Sequence, residues 1–322
     1  MWNELLAIAA GFALLAWSAA RFVEGASAIA RHLDIPPLII GLTVVSIGTS
    51  APEIVFSGIA AWQGNTGLSV GNAIGSNIIN TSLILGIGAL VTPLGVHSSI
   101  IRRELPVLLL VMGLAYVLLI DHTLGRLDGL LLLSGMFAVV FWIIRVGMRT
   151  QAARDPLGEE YAQELPVGLG IGRASLLLVV GALVLVASSR LLVWGAASLA
   201  SALGVSDLII GLTIVALGTS LPELAATVMS ALRSEHDIAL GNIIGSNMFN
   251  LLAVLGLPGL IQPGPVDPLV LTRDYPVMVG ITLAMFFMAY GFRRPGQVNR
   301  IEGALLVFAY GAYQTLLYFT GT

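Results

Sequence analysis

The chain has 322 residues, of which 57% are hydrophobic, and its mean hydropathy is +0.94. Charged residues make up only 10%, against about 25% in an ordinary soluble domain, which excludes a soluble protein with a polar surface. The formal net charge of −3 comes from 18 acidic residues and 15 basic ones, all arginine, and no basic cluster is dense enough for a nucleic-acid surface.

Ten apolar segments are each long enough to cross a hydrocarbon core of about 30 Å as a helix. In chain order they are 3–24, 36–61, 68–92, 104–120, 125–148, 171–193, 206–231, 238–262, 273–291 and 299–320. The first has no basic run before it, so it reads as a retained span and not as a cleaved signal. Barrel strands are excluded because the apolar runs are too long and do not alternate. Short polar turns such as RHLDIPP, WQGNTG, DHTLG and RSEHD separate the segments. The longer connection, 149–170, carries Arg154, Asp155, Glu159, Glu160 and Glu164. It divides the chain into 1–148 and 171–322, with five segments in each.

The halves are related. Residues 41–93 and 211–263 align without a gap at an offset of 170, with 21 identities in 53 positions, the mark of an internal duplication. The first copy reads GLTVVSIGTSAPE and then GNAIGSNIIN. The second reads GLTIVALGTSLPE and then GNIIGSNMFN. Because five is odd, the second half enters the membrane from the opposite side. The fold class expected is therefore all-α integral membrane, with ten transmembrane helices as two inverted-topology repeats of five, an architecture of secondary transporters. The arginines orient it. Arg21, Arg31, Arg102, Arg103, Arg145, Arg149, Arg154, Arg173, Arg233, Arg293, Arg294 and Arg300 fall on one side, and Arg126, Arg190 and Arg273 on the other. The first set marks the cytoplasm. The 149–170 connection then lies inside and both termini outside.

Each copy carries one carboxylate in apolar sequence, Glu53 and Glu223. In the first copy Thr49 and Glu53 share a helix face, with Ser50 beside them. Gly48 and Pro52 loosen the same turn, because proline has no N–H to donate, so a bent or broken helix is expected there. Gly218, Thr219, Ser220, Pro222 and Glu223 repeat the pattern. One helix later, Asn72, Ser76 and Asn80 recur every fourth residue with Asn77 beside them. Their counterparts are Asn242, Ser246, Asn250 and Asn247. Gly71, Gly75, Gly241 and Gly245 allow close helix approach.

Charge in mid-membrane faces the bundle interior or an aqueous path. Carboxylate, hydroxyl, amide and carbonyl oxygens without sulfur or histidine form a shell for a hard cation. Calcium takes six to eight such oxygens, sodium a subset, and magnesium a tighter octahedron. Two carboxylates balance one divalent ion, two monovalent ions or two protons. Ser57, Thr227 and Thr81 read as packing residues, while Asn77 and Asn247 fit packing and ligation equally. Asp128, Glu302, Glu104 and Asp274 sit near predicted helix ends, where solvation or capping accounts for them. No phosphate-binding loop, dinucleotide fingerprint or HExxH motif appears, so no enzyme and no cofactor is expected.

GTSAPE with GNAIGSNIIN, and GTSLPE with GNIIGSNMFN, resemble the two alpha-repeats of the calcium/cation antiporter superfamily, the sodium/calcium exchangers. Within it the sequence is similar to the YrbG-type exchangers of bacterial inner membranes. The resemblance covers essentially the whole chain and implies ten helices, inverted halves and alternating access. It implies that Glu53 and Glu223 hold calcium, with sodium competing for overlapping positions. By motif position it carries Thr49, Ser50, Ser76 and Asn80 over as ligands or close supports, and with them Thr219, Ser220, Ser246 and Asn250. Some members, including potassium-dependent ones, have Asp where this chain has Asn250, which weakens a potassium-dependent reading. The expected activity is Ca2+/Na+ antiport. A Ca2+/H+ antiporter using the same two glutamates, a cation channel and a non-transporting scaffold are the alternatives. The expected partners are inorganic cations and the lipid bilayer of a prokaryotic inner membrane, with no obligatory protein partner.

Overall fold

The computed structural model describes residues 2–96, 101–152, 169–203, 216–290 and 296–320. The acidic residues of the connecting segment, the opening of the second signature stretch (211–215), His97, Arg293 and Arg294 lie outside the described residues.

The chain is helical. Its helices are α1 (Trp2–His32), α2 (Pro37–Thr49), α3 (Ala51–Trp62), α4 (Thr66–Val91), α5 (Ile101–Leu119), α6 (Arg126–Ala152) and α7 (Ile171–Ala202). They continue as α8 (Ala216–Thr219), α9 (Leu221–Leu232), α10 (His236–Ile261), α11 (a π turn over Val270–Asp274, then Tyr275–Tyr290) and α12 (Arg300–Thr320). Among the described residues, six helices are long and apolar enough to cross a membrane, or seven if α2 and α3 form one span bent by 45°.

Two ribbons too short to read from sequence join the halves. β1 (Leu94–Val96) pairs antiparallel with β4 (Gly296–Val298), and β2 (Thr123–Leu124) with β3 (Gly264–Pro265). At the start of α4, Thr66 Oγ1 donates to the Gln262 carbonyl beside β3, 2.7 Å away, whereas β1 follows the other end of α4. The ribbons therefore mark opposite ends of the bundle. At the β1–β4 end, Ser27 Oγ donates to Glu235, Arg233 lies 3.5 Å from Glu24, and His32 meets the Leu169 carbonyl. These contacts carry α1 to His32, well beyond the expected end at residue 24.

The packing is inside-out relative to a soluble protein. α10, with its glycines, serine and asparagines, is wholly buried, while few residues of the more apolar α6 and α7 are. Exposed Leu130, Phe137, Phe141, Leu176 and Leu183 give these helices a surface suited to lipid. α10 reaches α2 through glycine. A Cβ on Gly241 would stand 2.8 Å from the Leu38 carbonyl, and one on Gly245 would stand 2.5 Å from Ser46 Oγ. A Cβ on Gly71 or Gly75 would meet no heavy atom of the described residues within 4 Å, so the close approach expected there is not seen among them.

Asp128 and Glu302 cap their helices, accepting from the Gly125 and Asn299 amides. Glu104 and Asp274 depart from the expected solvated role. Both are buried; Asp274 is held by Arg273 and by the Tyr313 hydroxyl, and neither oxygen of Glu104 has a hydrogen-bond partner.

α1 and α7 pack along each other through glycines in equivalent places of the two halves, Gly11 with Gly181 and Gly25 with Gly195. A Cβ on Gly25 would fall 2.5 Å from the Leu178 amide nitrogen, and one on Gly181 2.7 Å from that of Phe22. Both obstacles are backbone and cannot swing aside. Gly25→Ala and Gly181→Ala are each expected to cost about 1–3 kcal/mol through overpacking. Gly113→Ala, with no heavy atom within 4 Å, is expected to be neutral or mildly stabilising. Thermal melting of the three variants in detergent checks this contrast.

Candidate cation-binding site

The site is built on two helix breaks. An α-helix bonds each N–H to the carbonyl four residues back, so Pro52 releases the Gly48 carbonyl and Pro222 that of Gly218. The backbone leaves helical geometry at the same place in both copies, at Ser50 (φ −80, ψ 5) and Ser220 (φ −89, ψ 7). Ser189 Oγ of α7 donates to the freed Gly218 carbonyl at 2.8 Å. Ala19 stands at the equivalent place in the first half and has no hydroxyl to offer. Each break starts a new helix with its glutamate in the first turn, where the helix dipole favours negative charge.

The two breaks are bonded crosswise. Ser50 and Ser220 occupy N-cap positions, yet neither side chain caps its own helix. Ser50 Oγ lies 3.0 Å from both Glu223 Oε1 and Ser246 Oγ. Ser220 Oγ lies 3.4 Å from Glu53 Oε1. Each carboxylate thus receives a hydroxyl from the other copy. Both are 1% exposed and close enough to repel each other. One oxygen of each, Oε2, has no hydrogen-bond partner.

The helices after the breaks supply amides. α4 and α10 both widen into a π turn that begins at an asparagine, Asn80–Ile84 and Asn250–Val254. Such turns recur at functional sites. Asn80 and Asn250 are each 1% exposed. Asn80 Oδ1 and both side-chain polar atoms of Asn250 lack partners. Ser76 is buried, and its carbonyl accepts the Asn80 backbone N–H.

Of the ten residues expected as ligands or supports, Thr49, Ser50, Glu223 and Ser246 form one bonded group and Ser220 and Glu53 another, with Thr219 ending the helix before that break. Asn80 is tied to Asn247, its Nδ2 donating to Asn247 Oδ1 at 3.2 Å. Among the described residues, no side-chain hydrogen bond ties Ser76 or Asn250 to either group. Among the described residues no cluster of three or more His, Cys, Asp or Glu forms, so the two glutamates carry the local negative charge.

Asn242, absent from the expected set, is a hub. Its Oδ1 accepts from Thr49 Oγ1 at 3.0 Å, and its Nδ2 lies 3.3 Å from the Glu223 carbonyl and 3.1 Å from Thr227 Oγ1. Its place four residues before Ser246 was the available signal. A buried, oxygen-rich centre with two carboxylates, inside helices that suit lipid, defines a membrane protein that handles small cations.

Comparison with known proteins narrows this class. The family model for the sodium/calcium exchanger protein matches residues 3–145 and 173–319. The chain is 50% identical over 309 residues to CaxA of Alkalimonas amylolytica, covering 96% of each chain. It is 45% identical over 312 residues to the inner membrane protein YrbG of Escherichia coli strain K12, covering 96% of this chain and 94% of that one. A solved structure of the sodium-calcium exchanger NCX_Mj, soaked with sodium and calcium, superposes with a TM-score of 0.82 at 31% identity and 97% coverage of both chains. The chain belongs to the sodium/calcium exchanger family, a family of transporters and not of enzymes, and is a membrane cation exchanger.

Ser57 joins α3 to α10, as the packing role expected of it requires. Its hydroxyl donates to the Val254 carbonyl in the π turn of α10 at 2.7 Å. Ser57→Ala is expected to cost about 0.6 kcal/mol, as interhelical hydrogen bonds in membranes do, while calcium affinity stays within about twofold, under half a kcal/mol. Parallel melting and calcium titration of that variant measure both effects.

Proposed function

We propose that this chain is a secondary antiporter exchanging Ca2+ for Na+ by alternating access, with ten transmembrane helices arranged as two inverted repeats of five. The observation that carries the reading is the crossed site. Two buried glutamates, one from each copy, take hydroxyls from the opposite copy, and each keeps an oxygen without a hydrogen bond. The buried, unpartnered amide oxygen of Asn80 adds a neutral ligand, and Thr49, Ser50, Ser76, Thr219, Ser220, Ser246 and Asn250 supply or support the rest. This shell suits a hard cation. Two carboxylates are neutralised equally by one calcium ion or by two sodium ions, so each load can replace the other. NCX_Mj is a sodium-calcium exchanger by name, which supports sodium as the coupling ion.

The end contacts support the repeat arrangement. In a ten-helix path the β1 and β4 loops share one side, and the β2 and β3 loops share the other, as the ribbons require. Arg21, Arg31, Arg233 and Arg300 belong to the β1–β4 end, and Arg126 and Arg273 to the other. The arginine-rich end is the cytoplasmic one, and the 149–170 connection joins residues 1–148 to 171–322 there. Both termini lie outside. Because the native chain has no cysteine, Gly158→Cys is a clean reporter. An impermeant thiol reagent is expected to label it only after the membrane is opened, and labelling in intact cells would reverse the orientation.

The function is tested by Glu53→Gln and Glu223→Gln. A calcium ion leaving water needs compensating charge, and an amide leaves a net positive charge in a buried place. Removing one partner of a buried charge pair costs about 3–5 kcal/mol, so calcium affinity should fall by more than about 100-fold. Stability should hold or rise, because repulsion between the glutamates is relieved. Calorimetry on both variants reads the first effect and melting the second; near-native affinity in either folded variant sinks the two-carboxylate site. Calcium flux in proteoliposomes separates the coupling ions: flux that follows an imposed sodium gradient supports sodium, and flux that ignores sodium and follows pH assigns the proton.

A further inference from the structure

An asparagine amide offers a cation only its oxygen, since the NH2 end carries positive hydrogens. An amide ligand must therefore be held by its nitrogen. Asn80 and Asn250 occupy the same place in the two copies, but only one of them is held this way.

Asn80 Nδ2 donates to Asn247 Oδ1 at 3.2 Å. Asn247 Nδ2 donates in turn to Thr81 Oγ1 at 2.7 Å. Asn77 Nδ2 donates to the Asn247 backbone carbonyl at 3.2 Å. Asn77, Asn80, Thr81 and Asn247 are each 1% exposed, so no bulk water competes for these bonds. The relay runs from α4 to α10 and back to α4. It consumes the nitrogen end of Asn80 and leaves its Oδ1 buried and without a partner.

Among the described residues the second half has no such relay. Asn77 aligns with Asn247, but its amide is spent on the Asn247 carbonyl and on Met278 Sδ, 3.6 Å away. Leu251 aligns with Thr81 and has no hydroxyl. Asn250 is accordingly unheld, with neither side-chain polar atom bonded.

We infer that Asn247, anchored by Thr81, is a positioning residue that locks the Asn80 amide with its oxygen available to the cargo cation, so that the site has one fixed and one adjustable amide. The inference rests on the calcium-exchange reading above. It decides the role of Asn247, which spacing alone left open.

The test is a double-mutant cycle on the purified full-length chain, with calcium affinity by calorimetry and exchange in proteoliposomes. Asn247→Ala should raise the calcium Kd about tenfold, the equivalent of about 1.4 kcal/mol, while the maximal exchange rate at saturating calcium is retained. Thr81→Val should act in the same direction by a smaller factor, and Thr81→Ser, which keeps the hydroxyl, should match the parent chain. The double variant should bind as weakly as Asn247→Ala alone, because both changes break one relay. Additive effects, or an unchanged Kd in both single variants, would overturn the inference. If Asn247→Ala does not fold, the Thr81→Val and Thr81→Ser pair decides, and equal affinities overturn it. A parent chain that binds no calcium overturns the exchange reading itself, whereas a binding parent with unaffected variants overturns only the role of Asn247.

Discussion

Two like charges buried together are the constraint to which the rest of the structure answers. An ionised carboxylate taken out of water costs several kcal/mol, and a second one beside it adds repulsion. The chain meets this cost by breaking a helix at each glutamate. The break sets the carboxylate at a fresh helix N-terminus and frees a serine hydroxyl from local capping duty. That hydroxyl then crosses to the other copy. On the proposed exchange reading, the remaining charge is what a cation balances, and the demand for compensation is the source of cargo affinity.

Close approach of the copies depends on what is missing from the helices around them. α10 meets α2 at Gly241 and Gly245, where any side chain would strike backbone or the Ser46 hydroxyl. Serine, glycine and asparagine are poor at burying apolar area, so these central helices are enclosed by more apolar ones. The short ribbons and the Ser27–Glu235 contact then tie the halves at both ends. Attachment at the ends and oxygen-rich packing at the centre place the polar chemistry where lipid cannot reach it.

The glutamate breaks were legible because glycine and proline act locally: Gly48 and Pro52 flank the bend wherever the helix sits. The periodic serines and asparagines were legible as one face for the same reason. Partner choice was not. The spacing that marks Asn242 and Asn247 says nothing about which hydroxyl each amide meets across the bundle, and both proved to be hubs. The π turns at Asn80 and Asn250 have no compositional signal, since an i→i+5 bond is set by packing. Glu104 and Asp274 illustrate the same limit. Both stand at helix starts, where exposure is the ordinary expectation, and tertiary packing buries them.

The inside-out distribution of polarity also bears on how the chain is made. Helices α6 and α7 are apolar enough to be stable in lipid as they emerge. α10 carries Asn242, Ser246, Asn247 and Asn250, each an added cost for a lone helix entering a bilayer. Its insertion is therefore completed by its neighbours, and membrane integration becomes cooperative across both halves. A chain interrupted before the second half is in place would leave the amides of Asn77 and Asn80 without the Asn247 partner they bond in the finished bundle.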